Sequence, residues 1–195
     1  MKRPVYIIIL LLLSWTARTQ NVATNISDAK SAYSNGNYED ARFALQQALN
    51  ELDRILAGEI MKLLPDQTGG LSVNSEKDEV TTAGGTGIFV SRYFGEEENT
   101  YAKVDIVDNS PMVSMVSAFI NNPMMSAMGS TSGQKMIKVH GYKGMIQQDA
   151  DEIEYSIMVP FGDSMFTFET NVKDEALALE MAHAIPLDKI IALIN

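Results

Sequence analysis

Apolar residues follow three rhythms along this chain. The first is a solid run, Tyr6 to Trp15 (YIIILLLLSW), placed just behind Lys2 and Arg3. The second recurs every three or four residues. Tyr38, Ala41, Leu45, Ala48, Leu49, Leu52, Leu56, Ile60 and Leu64 fall on one stripe of a long helix that Pro65 ends. Ahead of it, Asn25 or Ser27 is placed to cap a short helix over Asp28 to Ser34, and Asn35-Gly36-Asn37 makes the turn between the two. Residues 20–65 therefore read as a helical hairpin.

The third rhythm is alternation, which belongs to strands. It marks Ile88 to Phe94 and Tyr101 to Val107, where Ala102, Val104 and Ile106 face one way and Lys103 and Asp105 the other. It returns at Met136 to His140, Tyr142 to Gln148, Ile153 to Val159 and Met165 to Val172, the last with Phe166, Phe168 and Thr170 on one face. Helical segments interrupt the strands. Ser110-Pro111 opens one that runs to about Ile120, Asn122-Pro123 breaks it, and a second short turn reaches Met128 before the loop Gly129 to Gly133. Asp174 caps a helix through Ala184, and Pro186 separates it from a final helix over Asp188 to Ile194. Connections of hairpin length make the later sheet antiparallel. The expected fold is α+β, an antiparallel sheet flanked by helices over 88–195 and preceded by the helical hairpin. The stretch 66–87, rich in Gly, Ser and Thr, reads as linker and loop.

The solid apolar run changes the picture at the N-terminus. It is about half the ~20 residues that a spanning helix needs, and Arg18 follows it closely. Thr16 to Gln20 (TARTQ) is polar, and Ala17 and Thr19 supply small residues for a cut before Gln20. Residues 1–19 are thus expected to be a cleaved signal peptide. The protein is expected to be periplasmic or secreted, with no stable membrane anchor after cleavage. The chain has no cysteine, which excludes a lipid-modified N-terminal cysteine, disulfides and thiolate chemistry. Charge adds a further exclusion. The full chain carries 15 basic and 25 acidic residues, net −10, and loss of Lys2, Arg3 and Arg18 with the signal leaves it more negative still. Such a surface repels phosphate backbones, so nucleic-acid partners are not expected.

Two segments carry resemblances. SAYSNGNYEDARFALQQAL, residues 31–49, resembles part of one tetratricopeptide repeat, with Gly36, Tyr38, Ala41, Leu45 and Ala48 at that motif's spacing. Only one such repeat is visible, and a solenoid needs about three. From Leu63 onward, LLPDQTGGLSV, GGTGIFVSRYF, VDIVDNSPMVSMVSAFINNPMMSAM, KVHGYKGMIQ and IPLDKIIAL together resemble a family of exported bacterial proteins of unknown function. The layout also resembles the PsbP-like fold, which several non-enzymatic extracytoplasmic accessory proteins use. The first resemblance implies no activity, and the second bears on fold alone.

Candidate chemistry is sparse. Of 12 methionines, Met112, Met115, Met124, Met125 and Met128 crowd one helical stretch. Thioethers suit Cu(I), but this spacing beside Val113, Val116 and Phe119 reads first as apolar packing. The only histidines, His140 and His183, are far apart in sequence and read as structural. Asp149, Asp151, Glu152 and Glu154 make an acidic run between two strands. Ile153 and Glu154 stand where a calcium loop needs an oxygen ligand and then Gly, so a solvated hairpin tip is expected. TAGGTG (82–87) lacks the following Lys-Ser/Thr of a phosphate loop, and GSTSG (129–133) has Thr131 where a nucleophilic serine would sit. No cofactor, metal ligand or catalytic residue is assigned, and no enzyme activity is expected.

The expected function is a non-enzymatic accessory or protein-interaction module of the bacterial envelope. It contacts another envelope protein, or a second copy of itself, through Tyr33, Asn35 and Asn37. The alternative is a carrier of a small apolar ligand, its pocket walled by Met112, Met115, Phe119, Met124 and Met128; copper binding through the methionines is the weaker one.

Overall fold

A computed structural model of the chain describes residues 21–82, 87–96, 98–122, 124, 133–148 and 155–194. Residues 1–20, the acidic run 149–154, most of both glycine clusters and Met125 and Met128 lie outside the described residues. The chain forms two compact units. One runs through Ile55, and the other comprises Leu56–Thr81 together with the described residues from Gly87 onward. Among the described residues no helix is long and apolar enough to cross a membrane.

The first unit is the helical hairpin. Helix α1 occupies residues 21–34, so it is already formed well before the expected start at Asp28. Helix α2 spans Tyr38–Leu63 and contributes its last turns to the second unit. The turn between them needs a left-handed residue, and Gly36 supplies it at φ 76°.

The second unit is an α+β fold. Strands β1 (Gln67–Thr68) and β2 (Leu71–Ser72) form a small antiparallel ribbon, and a 3-10 turn covers Ser75–Lys77. The main sheet has seven strands. In chain order they are β3 (Glu79–Thr82), β4 (Ile88–Gly95), β5 (Tyr101–Val107), β6 (Gln134–Val139), β7 (Tyr142–Gln148), β8 (Tyr155–Phe161) and β9 (Ser164–Thr170). In space the order is β3-β4-β5-β9-β8-β7-β6, antiparallel from β4 to β6. Helix α3 (Met112–Asn121) lies between β5 and β6 in sequence, while α4 (Glu175–His183) and α5 (Leu187–Ile194) close the chain. The stretch 66–87 is therefore more than linker, since it holds β1, β2 and the edge strand β3. Its short strands, two to four residues each, are below the length at which alternation can be read.

Alternation decides which side of each strand is buried. Ala102, Val104 and Ile106 are fully buried and lie in register with Thr170, Phe168 and Phe166 of β9, all three also fully buried, as their spacing predicted. The apolar ones join Ala57 and Ile60 of α2, Leu64 just past its end, Ala178, Met181 and Ala182 of α4, and Leu187 and Ile190 of α5 in the main core. The opposite face of the sheet carries a second, smaller core. There Met145, Met158 and Met165 pack with Val116, Phe119 and Ile120 of α3. In β7, Gly144 allows close strand packing, because a Cβ there would come within 2.6 Å of the Met158 carbonyl oxygen.

Candidate functional site

The hairpin is closed by small residues. Ala29 of α1 and Ala41 and Ala48 of α2 are the buried positions of the first unit, each 6 % exposed or less. Alanine lets two helix backbones approach closely, and that proximity pushes the larger side chains off the seam to either flank. Tyr38 and Leu45, on the same stripe as Ala41 and Ala48, are by contrast 68 % and 51 % exposed. Leu49 and Leu52 are exposed as well. The stripe is real, but within the first unit only its alanines are buried.

The turn is held by its own polar groups. The amide nitrogens of Asn35, Gly36 and Asn37 donate to the carbonyls of Ser31, Tyr33 and Ala32. Asn37 then caps α2, its Oδ1 accepting from the Asp40 amide at 3.4 Å while its Nδ2 donates to the Asp40 carboxylate. Tyr33 meets Tyr38 across the turn, with ring centroids 5.8 Å apart and planes tilted by 59°. That contact places Tyr33 and Tyr38 on one flank of the alanine seam.

The two flanks differ in chemistry. One carries Ile26 and Tyr33, seven residues apart on α1, and Tyr38, Leu45, Leu49 and Leu52 on α2. Every one of these six is a large apolar side chain open to solvent. The other flank is a groove of about 460 Å³ whose lining includes Asn25, Asp28, Asn35, Asn37, Asp40 and Phe43. Of the three residues expected at the contact, Tyr33 thus belongs to the apolar flank, and Asn35 and Asn37 to the polar groove.

The described members of the methionine set differ in burial. Phe119 is buried in the α3 core, whereas Met112, Met115 and Met124 are exposed, Met124 by 72 %. Packing as core does not hold for Met112 and Met115, and the methionines that do build that core are Met145, Met158 and Met165. None of Met112, Met115, Phe119 or Met124 lines the hairpin groove.

The histidines, distant in sequence, meet in space. His140 sits in the β6–β7 turn at φ 49°, and its Nε2 lies 2.9 Å from the carbonyl oxygen of His183, the last residue of α4. Their ring centroids are 5.4 Å apart. A ring nitrogen donated to a terminal carbonyl satisfies one of the orphan acceptors of the helix end, which suits the structural role read from sequence. No group of three or more His, Cys, Asp or Glu side chains able to hold a metal occurs among the described residues.

A more deeply buried polar set was not singled out by sequence. Arg92 of β4 donates through Nε and Nη2 to Asp78 Oδ2, at 3.1 and 2.9 Å, and through Nη1 to the Leu64 carbonyl at 2.9 Å. On the other side of the sheet, Lys103 Nζ lies 2.7 Å from Asp105 Oδ2 and 5.6 Å from the Tyr93 ring centroid. Asp105 Oδ1 and the neighbouring Ser91 Oγ are buried with no hydrogen-bond partner among the described residues. The available signal was the adjacent Ser91-Arg92 pair inside an otherwise apolar strand, which forces one polar side chain onto each face.

Compared with known proteins, the chain matches no family model, no curated protein and no solved structure.

Proposed function

We propose that this is an exported, non-enzymatic interaction module of the bacterial envelope, with the helical hairpin as its contact element. One observation carries the reading: Ile26, Tyr33, Tyr38, Leu45, Leu49 and Leu52 form a solvent-exposed apolar flank on a two-helix scaffold. Six large apolar side chains left open along one short hairpin of an acidic chain support an association site. Tyrosine is also among the side chains most enriched at the energetic centres of interfaces. The rigid alanine seam supports this use, because a pre-organised surface loses little entropy on binding.

Recovery from the native envelope under mild detergent tests the reading. The wild-type protein is expected to come out in a stable assembly, and Tyr33→Ala with Tyr38→Ala to release it without lowering the melting temperature. A wild-type chain that is monomeric and unaccompanied in that extract defeats the proposal.

A further inference from the structure

We infer that the apolar flank of the hairpin associates with the same flank of a second copy of this chain, giving a two-fold four-helix bundle; this rests on reading the hairpin as a contact element. The first argument is spacing. Ile26 and Tyr33 are seven residues apart on α1, and Tyr38, Leu45 and Leu52 repeat at seven on α2, with Leu49 filling in one turn beyond Leu45. A seven-residue apolar repeat presents a seam that matches another helix with the same repeat. Two such seams side by side match another pair, and the simplest pair carrying the identical pattern is a second hairpin. A two-fold contact uses one patch on both copies, so a single self-complementary surface is enough.

The second argument is area. The six side chains are 41 to 68 % exposed. Counting about 200 Å² for a tyrosine and somewhat less for leucine or isoleucine, they offer roughly 600 Å² per copy, close to the ~800 Å² per partner of a standard stable interface. The third argument is charge. The molecule is strongly acidic, yet the sequence beside these six residues carries Lys30 and Arg42 as well as Glu39 and Asp53, so two like-charged chains meet where both signs are present.

The absence of cysteine makes the test direct, because any introduced thiol is unique. Sedimentation of the mature wild-type protein is expected to show a dimer. Leu45→Glu with Leu52→Glu is expected to weaken it by about 100-fold or more, since both positions are exposed in the single chain and central in the bundle. Leu49→Cys, on the apolar flank, is expected to form an intermolecular disulfide rapidly on mild oxidation, whereas Phe43→Cys, on the groove side, is not. The cysteine pair decides the matter even if the double glutamate variant folds poorly. A monomeric wild type, or equal cross-linking at both positions, overturns the inference. If the wild type sediments as a monomer but leaves the envelope bound to a different protein through Tyr33 and Tyr38, the interaction reading stands and self-association falls.

Discussion

Glu169 shows how one side chain couples this fold to pH. It lies in β9 directly across from Lys103 of β5, but the Lys103 ammonium is already committed to Asp105 at 2.7 Å. Burial pushes the Glu169 carboxyl above its ordinary range, Lys103 pulls it back, and the Asp105 carboxylate adds to the rise. The folded protein therefore holds this proton to higher pH than the unfolded chain does. The resulting stabilisation is complete below the ordinary carboxylate range and is lost as pH rises through the raised value toward neutrality. Glu169→Gln keeps the shape and removes the ionisation. Thermal melts across pH should show the variant level with wild type in acid and more stable near neutral pH. A variant less stable at neutral pH would mean that attraction to Lys103 outweighs the burial cost.

At the scale of elements, Arg92 ties three segments together. It sits on the core side of β4 among Val90 and Phe94, reaches Asp78 between the 3-10 turn and β3, and closes the carbonyl end of α2 at Leu64. A cation at that end also meets the negative pole of the helix dipole. Both side chains of the Arg92–Asp78 pair are at most 14 % exposed, so breaking it strands a buried carboxylate. Arg92→Met is expected to lower unfolding free energy by about 3 kcal/mol, and adding Asp78→Asn to recover part of the loss. Denaturant titration reads both; a single-variant cost of a few tenths would show a solvent-screened pair. Elements of this kind were only partly legible in the sequence. Strands with clean alternation were read within a few residues, and the Asp174 cap is present, its Oδ1 accepting from the amides of Ala176 at 2.8 Å and Leu177 at 3.4 Å. Both are local signals, carried by residues within one turn or one strand. The alanine seam was missed because a periodic stripe shows which residues share a side of a helix, not which of them a neighbouring helix will cover. Contact of His140 with His183, and collection of Met145, Met158 and Met165 under α3, depend on strand order. In a sheet ordered β5-β9-β8-β7-β6, residues far apart in sequence become neighbours, and no spacing rule announces it.

At the scale of the whole molecule, α2 belongs to both units, and the boundary between them falls inside the helix at Ile55–Leu56 rather than at Pro65. Its last two turns are core residues of the sheet unit. Ala57 and Ile60 are fully buried and Leu64 nearly so, packed with Ile88, Val90 and Phe94 of β4 and with α4 and α5. Earlier in the same helix, Leu52 is 41 % exposed and belongs to the other unit. Docking on the sheet thus begins at Leu56, although the apolar stripe itself continues back through Leu52. The consequence is a pair of truncations with opposite outcomes. A chain starting at Asp66 loses Ala57, Ile60 and Leu64 together and leaves the Arg92 guanidinium without the Leu64 carbonyl. Each large apolar side chain removed from a core costs about 2–5 kcal/mol, and total stability for a domain is only about 5–15 kcal/mol. That chain is expected to be poorly soluble and to lack a cooperative melt. A chain starting at Glu51 keeps the three core residues and the Arg54–Glu51 ion pair that supports the new helix start. It is expected to melt cooperatively and to be monomeric. Calorimetry with sedimentation separates the cases: a soluble, cooperative Asp66 chain would show that the α2 turns contribute little to the core, and a Glu51 chain that still dimerised would place association outside the hairpin.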